Sequence, residues 1–283
     1  MVMESIRTLR IMQETSKRHL HQGKSIGFVP TMGALHKGHL SLIKRAKSEN
    51  DVVTASIFVN PAQFGENEDF DRYPRDLEGD AERMREAGVD ILFIPEVKTI
   101  YPDGYATYIQ VERLSKKLCG AFRPGHFTGV ATVVCKLFNI VKPTRVYFGQ
   151  KDFQQAVIIG KMAEDLNFDL ELVICPTVRE SDGLAMSSRN GYLNAAERKA
   201  AAALYGALRS AAELVKKGSA KPAEVKEHLA GKLKAEPLIS EIQYAGAYDP
   251  WSLEELSEIG KRTLLALAVR IGETRLIDNI LVE

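Results

Sequence analysis

Cysteine and net charge are both scarce in this sequence. Its 283 residues include three cysteines, Cys119, Cys135 and Cys175, which cannot all pair and show no Cys-x-x-Cys spacing. A disulfide framework and a zinc ribbon are therefore excluded, and we expect reduced thiols. Lysine and arginine total 38 against 37 aspartates and glutamates, so the net charge is +1. Proteins that bind nucleic acid or membrane surfaces normally carry a surplus of positive charge. We expect small-molecule partners, with no nucleic acid and no membrane.

Long apolar runs are also missing. The best candidates for a membrane-spanning helix, VATVVCKLFNIV and TLLALAVRI, are interrupted by Lys136 and Arg270. Both are shorter than the roughly 18 apolar residues that a bilayer requires. Charged residues also interrupt the first fourteen positions, which excludes the apolar segment of a secretory signal. The expectation is a cytoplasmic protein, and 45% hydrophobic residues can form the core of one large domain or two smaller ones.

Short strand-like runs alternate with amphipathic stretches up to about residue 176. The runs are rich in β-branched and aromatic residues and cover 25–30, 51–60, 89–95, 145–150 and 170–178. Between them, residues 128–143 place apolar side chains at helical spacing up to Pro143. This alternation predicts an α/β fold with a Rossmann-like, doubly wound parallel sheet. Ligands of such sheets bind outside the carboxyl ends of the strands.

The second half of the chain has a different pattern. An alanine-rich segment, 195–218, predicts one long helix with Asn194 as N-cap and Gly218 as its stop, and a shorter helix follows at 221–237. Residues 239–250 and 261–283 resemble strands of a small antiparallel sheet. We therefore predict a Rossmann-like domain over 1–177 and a second, smaller α+β C-terminal domain over 178–283.

The most informative stretch for chemistry is 28–46, where a predicted strand turns through Gly33 into a helix that starts near Gly38. His36 and His39 flank this helix N-terminus, whose free N–H groups and positive dipole end attract phosphate. Imidazoles placed there can stabilise charge on phosphate oxygens. Taken alone, the two histidines could also be ordinary capping or surface residues, or half of a zinc site. Their strand–glycine–helix setting favours phosphate binding.

Two further segments offer groups for phosphate. Lys151 follows the predicted strand that ends at Gly149, so it lies at the carboxyl edge of the sheet. Ser187, Ser188 and Arg189 stand together in a predicted loop between the domains. Each could be simple surface polarity on its own. Together with the two histidines, they favour a site for the phosphates of a nucleotide.

The stretch PTMGALHKGHL resembles the His-x-Gly-His signature of nucleotidyltransferases and class I aminoacyl-tRNA synthetases. Further segments match one family of this superfamily in the same order, namely FVNPAQFG, YPRDLEGD, FRPGHFTGV, VYFGQKDFQQ and VRESDGLAMSSRNGYL. The sequence is thus identified over about residues 25–195 as similar to the pantothenate synthetases, or pantoate–β-alanine ligases. The resemblance implies ATP-dependent condensation of pantoate with β-alanine through a pantoyl adenylate, with AMP and pyrophosphate released. It also implies Mg²⁺ and a homodimer, with the FTGVATVV segment (127–134) as part of the contact.

The resemblance also implies roles for individual residues. It makes His39 the catalytic proton donor, and the charge and position of His36, Lys151 and Arg189 add these three as catalytic residues. Gln63 and Gln155 would hold pantoate and β-alanine, with Asn60, Tyr73, Arg123 and His126 in support. Where related sequences carry two adjacent acidic residues this chain has Gly79 and Asp80, so Asp80 is the candidate magnesium ligand. The ATP site would comprise Met32, Gly33, Ala34, Leu35, His36, Lys37, Gly38, His39, Gly149, Gln150, Lys151, Asp152, Val178, Met186, Ser187, Ser188 and Arg189.

Other functions remain open from the residues alone. The chain could be a different His-x-Gly-His nucleotidyltransferase with another small substrate, or a catalytically inactive nucleotide sensor or scaffold. A class I tRNA synthetase is disfavoured, because 283 residues at a net charge of +1 leave little room or charge for tRNA. The two glutamines disfavour a phosphorylated second substrate, because amides supply no extra positive charge.

Overall fold

A six-stranded parallel sheet forms the larger part of the computed structural model, which describes residues 3–66, 68–218 and 220–283. Its strands are β1 (Glu4–Ile6), β2 (Ile26–Thr31), β3 (Val52–Ile57), β4 (Ile91–Phe93), β5 (Arg145–Gly149) and β6 (Glu171–Cys175). The spatial order is β1-β4-β3-β2-β5-β6, and every pair is parallel. The predicted parallel sheet is confirmed. Strand β1 was not predicted, because three residues are too short to show a period.

Helices cover both faces of this sheet. The helices of this part are α1 (Leu9–His21), α2 (Lys37–Glu49), α3 (Leu77–Glu86), α4 (Val97–Ile100), α5 (Cys119–Phe122), α6 (His126–Val141) and α7 (Phe153–Asp165). Buried side chains of α1, α6 and α7 pack with Phe28 and Phe148 on one face. Those of α2 and α3 pack with Val29 and Tyr147 on the other. The sheet is therefore doubly wound, as predicted.

The strand order places a switch point between β2 and β5. From β2 the chain adds β3 and β4 on one side, whereas β5 and β6 lie on the other side. The connections after β2 and β5 diverge there, which leaves a crevice outside their carboxyl ends. His36 and His39 follow β2, and Lys151 follows β5.

The FTGVATVV segment, which was expected to form part of the dimer contact, lies in the first half of helix α6. All its residues except Thr128 are buried within the chain's own core. The side chains that would form the expected dimer contact are thus already covered by the same chain. Burial within its own chain disfavours this segment as a contact between two subunits, and the expectation stays a prediction.

A three-stranded antiparallel sheet forms the C-terminal part, with β7 (Ile239–Tyr248), β8 (Thr263–Ile271) and β9 (Thr274–Val282) in the order β7-β8-β9. Helices α8 (Ala195–Ala201), α9 (Ala203–Lys216) and α10 (Pro222–Lys234) pack on one of its faces. The smaller α+β part is confirmed. The boundary between residues 177 and 178 stays a prediction, although β6 ends at Cys175 and no later strand joins the larger sheet among the described residues.

The predicted long alanine-rich helix is two helices. Asn194 caps α8 as expected: its Oδ1 accepts the N–H groups of Ala196 and Glu197 at 3.0 Å each, and the Glu197 carboxylate accepts the Asn194 N–H. At Ala202 the backbone N–H bonds to Lys199 O, three residues back, which tightens the turn and separates α8 from α9. Alanine is compatible with both α-helical turns and such tighter turns. The alanine-rich composition therefore did not reveal the break between α8 and α9.

The two parts are in contact. Leu264 and Ala266 of β8 join the apolar cluster that contains α6 and α7. The side-chain amide of Asn279 in β9 donates to the carbonyls of Gln150 and Lys151 at 2.9 Å each. The C-terminal sheet is thereby held against the segment that follows β5. Among the described residues, no helix is both long and apolar enough to cross a membrane.

Candidate active site

A cavity of about 220 Å³ lies at the switch point, between the carboxyl ends of β2 and β5 and the 186–189 loop. Most of the predicted site residues line it: Met32, His36, Gly38, His39, Gly149, Lys151, Asp152, Val178, Met186, Ser187, Ser188, Arg189, Gln63 and Gln155, with Asn60, Tyr73, Arg123 and His126. Five predicted ATP-site residues do not line it, namely Gly33, Ala34, Leu35, Lys37 and Gln150. Residues far apart in sequence thus surround one space.

The two histidines cap the N-terminus of α2. Nδ1 of His36 accepts the Gly38 N–H at 3.1 Å, and Nδ1 of His39 accepts the His36 N–H at 3.4 Å. Because both Nδ1 atoms accept, each neutral ring carries its proton on Nε2. A Cβ at Gly38 would lie 2.8 Å from the His36 ring, so only glycine allows this arrangement. Each imidazole therefore keeps an Nε2–H free for a ligand.

Both histidines are neutral near pH 7. Burial, reinforced by the charge of Lys151, lowers the pKa of His36 to about 4. Burial, reinforced by the neighbouring His36, lowers the pKa of His39 to about 3. His39 thus offers a hydrogen bond through a neutral ring. This is a narrower role than the proton donation that the resemblance implied.

Asp80 shapes the loop before these histidines. Its carboxylate accepts the N–H groups of Ala34 at 2.7 Å and Leu35 at 2.9 Å, and Arg83 donates to it at 3.1 Å. The side chain is 1% exposed and does not line the cavity. It holds Ala34 in the left-handed region, at a φ of 52°. Gly33, Ala34 and Leu35 thus act through backbone shape. The expected magnesium role of Asp80 does not fit this position, because its oxygens are occupied.

Replacing Asp80 with asparagine is expected to lower the free energy of unfolding by about 2 kcal/mol, because one oxygen that accepts a buried backbone N–H becomes an NH₂ donor. Urea unfolding monitored by circular dichroism measures this change. Glu78→Gln, at an exposed position of the same helix α3, is the matched control. Equal unfolding midpoints for the two variants would contradict the role given to Asp80.

Lys151 and Asp152 enter the cavity from the segment after β5. The Lys151 ammonium lies 3.5 Å from the Asp152 carboxylate, and its side chain is 19% exposed. Burial alone would raise the pKa of Asp152, but the charges of Lys151 and Arg189 hold it below its ordinary value. Gln150 points elsewhere, toward Asn279 of β9. The cavity therefore contains a lysine cation beside an ionised carboxylate.

The 187–189 loop contributes hydroxyls and a guanidinium. Ser187 Oγ accepts the Arg189 N–H at 3.3 Å, and the hydroxyls of Ser188 and Tyr73 are 3.2 Å apart. Arg189 donates to both oxygens of Asp69, at 2.9 and 2.8 Å. Sequence reasoning missed Asp69, although it lies in a run of acidic residues between 66 and 71.

Gln63 is oriented by its neighbours. Its Oε1 accepts from the Asn60 amide at 3.1 Å, and its Nε2 lies 3.1 Å from Met32 Sδ. The Asn60 oxygen in turn accepts from the Tyr101 hydroxyl at 2.9 Å. A Cβ at Gly129 would lie 2.1 Å from the Ala62 carbonyl, so α6 packs closely against this turn. Gln63 therefore presents a preorganised amide to the cavity that Gln155 also lines.

His126 links this turn to an arginine. Its Nδ1 lies 2.8 Å from the Gln63 carbonyl, which can only accept, so Nδ1 carries the proton. Its Nε2 then accepts from Arg123 at 2.9 Å, and Arg123 also pairs with Glu68. Burial, reinforced by the charge of Arg123, lowers the pKa of His126 to about 3. No sequence pattern indicated Glu68 as a partner, because 55 residues separate the pair.

Comparisons with known proteins show the family of this chain. A family model described as Pantoate-beta-alanine ligase matches residues 2–281. The pantothenate synthetase of Thermodesulfovibrio yellowstonii is 62% identical over 281 residues, which covers 99% of this chain and 100% of that protein. The pantothenate synthetase of Moorella thermoacetica is 53% identical over 281 residues, 99% of each chain.

Solved structures show the same similarity. A crystal structure of pantothenate synthetase from Thermus thermophilus matches with a TM-score of 0.93 at 47% identity, over 98% of this chain and 99% of that one. A pantoate-beta-alanine ligase from Francisella tularensis, complexed with beta-gamma ATP and beta-alanine, matches with a TM-score of 0.81 at 38% identity, over 99% and 98%. Family match, sequence identity and fold agree over nearly the whole length, and this chain belongs to the pantoate-beta-alanine ligase family.

Proposed function

We propose that pantoate is joined to β-alanine in the switch-point cavity through a pantoyl adenylate, and that cleavage of ATP to AMP and pyrophosphate drives the reaction. The chain is a ligase of this family, and ATP is its co-substrate. One observation supports the assignment of the cavity: His36, His39, Lys151 and Arg189 surround the same space as the two amides of Gln63 and Gln155. Groups suited to phosphate thus meet groups suited to a hydroxy acid.

The first step activates a carboxylate. A carboxylate oxygen of pantoate attacks the α-phosphorus of ATP, the bond to the bridging oxygen breaks, and pyrophosphate leaves with that electron pair. The Nε2–H groups of His36 and His39 and the ammonium of Lys151 stabilise the charge that builds on the phosphate oxygens. Arg189 and the hydroxyls of Ser187 and Ser188 donate hydrogen bonds to the departing pyrophosphate from the opposite wall of the cavity.

The second step forms the amide. The free amine of β-alanine attacks the acyl carbon of the adenylate, AMP leaves with the electron pair of the acyl–oxygen bond, and the amine loses a proton. Gln63 and Gln155 hold the pantoate part meanwhile, because an amide both donates and accepts and introduces no competing nucleophile. The remaining predicted ATP-site residues shape the loop or contact the nucleotide through the backbone.

The C-terminal residues 178–283 act as a lid in this proposal. The 186–189 loop forms one wall of the cavity, and Asn279 of β9 holds the backbone of Gln150 and Lys151. Closure of this unit would keep water from the labile adenylate. In this arrangement the hydrogen bonds from β9 hold the C-terminal part against the segment that carries Lys151.

Magnesium fits the cavity as an ion held mostly by the ATP phosphates. Among the described residues, no cluster of three or more His, Cys, Asp or Glu side chains could hold a metal. Asp152 is a carboxylate in the cavity wall. We propose that Asp152, in place of Asp80, makes any direct contact between the protein and the magnesium ion. The ion, when bound, would neutralise phosphate charge, and it usually keeps several waters and binds largely through phosphates.

We also propose a homodimer in the cytoplasm. The dimer is supported by the family resemblance, with a contact outside the buried 127–134 segment. Free thiols at Cys119, Cys135 and Cys175 suit a reducing compartment.

Exchange of labelled pyrophosphate into ATP tests the proposed first step. Exchange is expected with pantoate present and β-alanine absent, and Lys151→Met is expected to slow it by about 100-fold, because the cation beside the phosphates is lost. Lys161→Met, on the exposed side of α7, is the matched control and should exchange at the wild-type rate. Wild-type protein that shows no pantoate-dependent exchange would refute the proposed function.

A further inference from the structure

A second cavity, of about 80 Å³, lies between the first cavity and strand β9. It shares Lys151, Asp152 and Gln155 with the first cavity, so one of its ends opens on the proposed reaction centre. Arg275 of β9 lies in its wall and also in that of an outer cleft of about 320 Å³. A small molecule could thus reach the reaction centre past Arg275.

Arg275 lacks the partner that neighbouring arginines have. Arg189 holds Asp69 and Arg123 holds Glu68. Among the described residues, Arg275 donates to neutral groups, which include the Gln243 side-chain oxygen at 2.8 Å and Cys119 Sγ at 3.3 Å. Among residues 3–66, 68–218 and 220–283 it forms no salt bridge. Partial burial of a guanidinium without a counter-ion costs desolvation free energy. The planar array of its N–H donors suits the two oxygens of a carboxylate.

The charges along this cavity match a zwitterion. The guanidinium of Arg275 lies at the β9 wall, and the side chain of Asp152 lies at the end shared with the first cavity. An ω-amino acid that places its carboxylate on Arg275 would direct its amino group toward the shared end of the two cavities and the acyl adenylate. A substrate held in the reverse direction would set its carboxylate beside Asp152, which like charge disfavours.

We propose that Arg275 binds the carboxylate of the β-alanine substrate and so directs its amine toward the acyl carbon. This inference rests on the proposed function and deepens it, because it assigns the amino-acid end of the same site to the C-terminal unit. Arg275 would then select amine substrates that carry a carboxylate.

Steady-state kinetics of Arg275→Gln test the assignment. The KM for β-alanine is expected to rise by about 50-fold with kcat changed little, because a charge-assisted pair is lost from ground and transition states alike. Pantoate-dependent pyrophosphate exchange without β-alanine should keep its wild-type rate. That unchanged exchange also shows that the variant is folded. Arg275→Lys, which keeps the charge without the fork, should give an intermediate KM.

Two controls make the result specific. Arg262→Gln removes an exposed arginine that pairs with Glu283, outside all three cavities, and should leave the KM for β-alanine unchanged. The neutral analogue 3-aminopropanamide should be a much poorer substrate than β-alanine for wild type, and about equal to it for Arg275→Gln. An unchanged KM for β-alanine, or an equal loss of exchange, would overturn the role of Arg275. Absence of exchange in wild type would instead refute the proposed function.

Discussion

Replacing His39 with alanine is expected to slow pantoate-dependent pyrophosphate exchange by about 1,000-fold. The neutral ring directs its Nε2–H into the cavity, and a preorganised donor at a developing phosphate charge contributes about 100- to 1,000-fold. The substitution also removes the acceptor of the His36 N–H, which loosens the start of α2. Exchange of labelled pyrophosphate into ATP, with β-alanine absent, measures the loss.

The variant His39→Asn separates these two effects. Its amide can still cap the helix and still donates a hydrogen bond, so a loss of only about 10- to 30-fold is expected. His21→Ala, at an exposed position of α1, is the surface control and should behave as wild type. If His39→Ala kept exchange within about threefold of wild type, the role assigned to this ring would be wrong.

Acidification from pH 7 to pH 5 is expected to lower the free energy of unfolding by about 6 kcal/mol without nucleotide. His36, His39 and His126 have folded pKa values of about 4, 3 and 3, against about 6.5 when unfolded. The unfolded chain therefore takes up protons first as the pH falls. Each histidine contributes stability that is complete above pH 6.5 and is lost as the pH falls toward its folded pKa, about 2 kcal/mol by pH 5.

Denaturant unfolding at several pH values measures this loss. His126→Gln removes one of the three groups while its amide can still donate to the Gln63 carbonyl and accept from Arg123. The loss between pH 7 and pH 5 should then shrink by about one third. A wild-type free energy of unfolding that does not change over this range would show that these rings are not held neutral.

Local patterns in the sequence predicted the sheet and most of the side chains that line the first cavity. Each signal needed only neighbouring residues: apolar runs rich in β-branched and aromatic residues for β2 and β5, helical spacing for α6, and the glycine-to-helix turn that carries His36 and His39. The Asn194 capping box was equally local. Such features depend on backbone propensity and side-chain spacing within a few residues, which a single sequence displays directly.

Contacts between distant residues explain what the sequence did not predict. Asp80 was expected to bind magnesium, yet it lies 46 residues from Ala34 and its oxygens accept the N–H groups of that loop. Asp69 pairs with Arg189 across 120 residues, and Glu68 pairs with Arg123 across 55. The buried 127–134 segment has the apolar character of an interface, and only packing shows that its own chain covers it.

The sequence by itself therefore determined the order of the elements, the parallel sheet and most of the side chains that line the first cavity. Only the tertiary structure decided which carboxylates are already paired, that His36 and His39 are neutral, and that Arg275 lines the second cavity with no salt-bridge partner among the described residues. The physical reason is that local structure follows from short-range propensity. Charge pairing and desolvation depend on which distant side chains the packed core brings within a few ångströms.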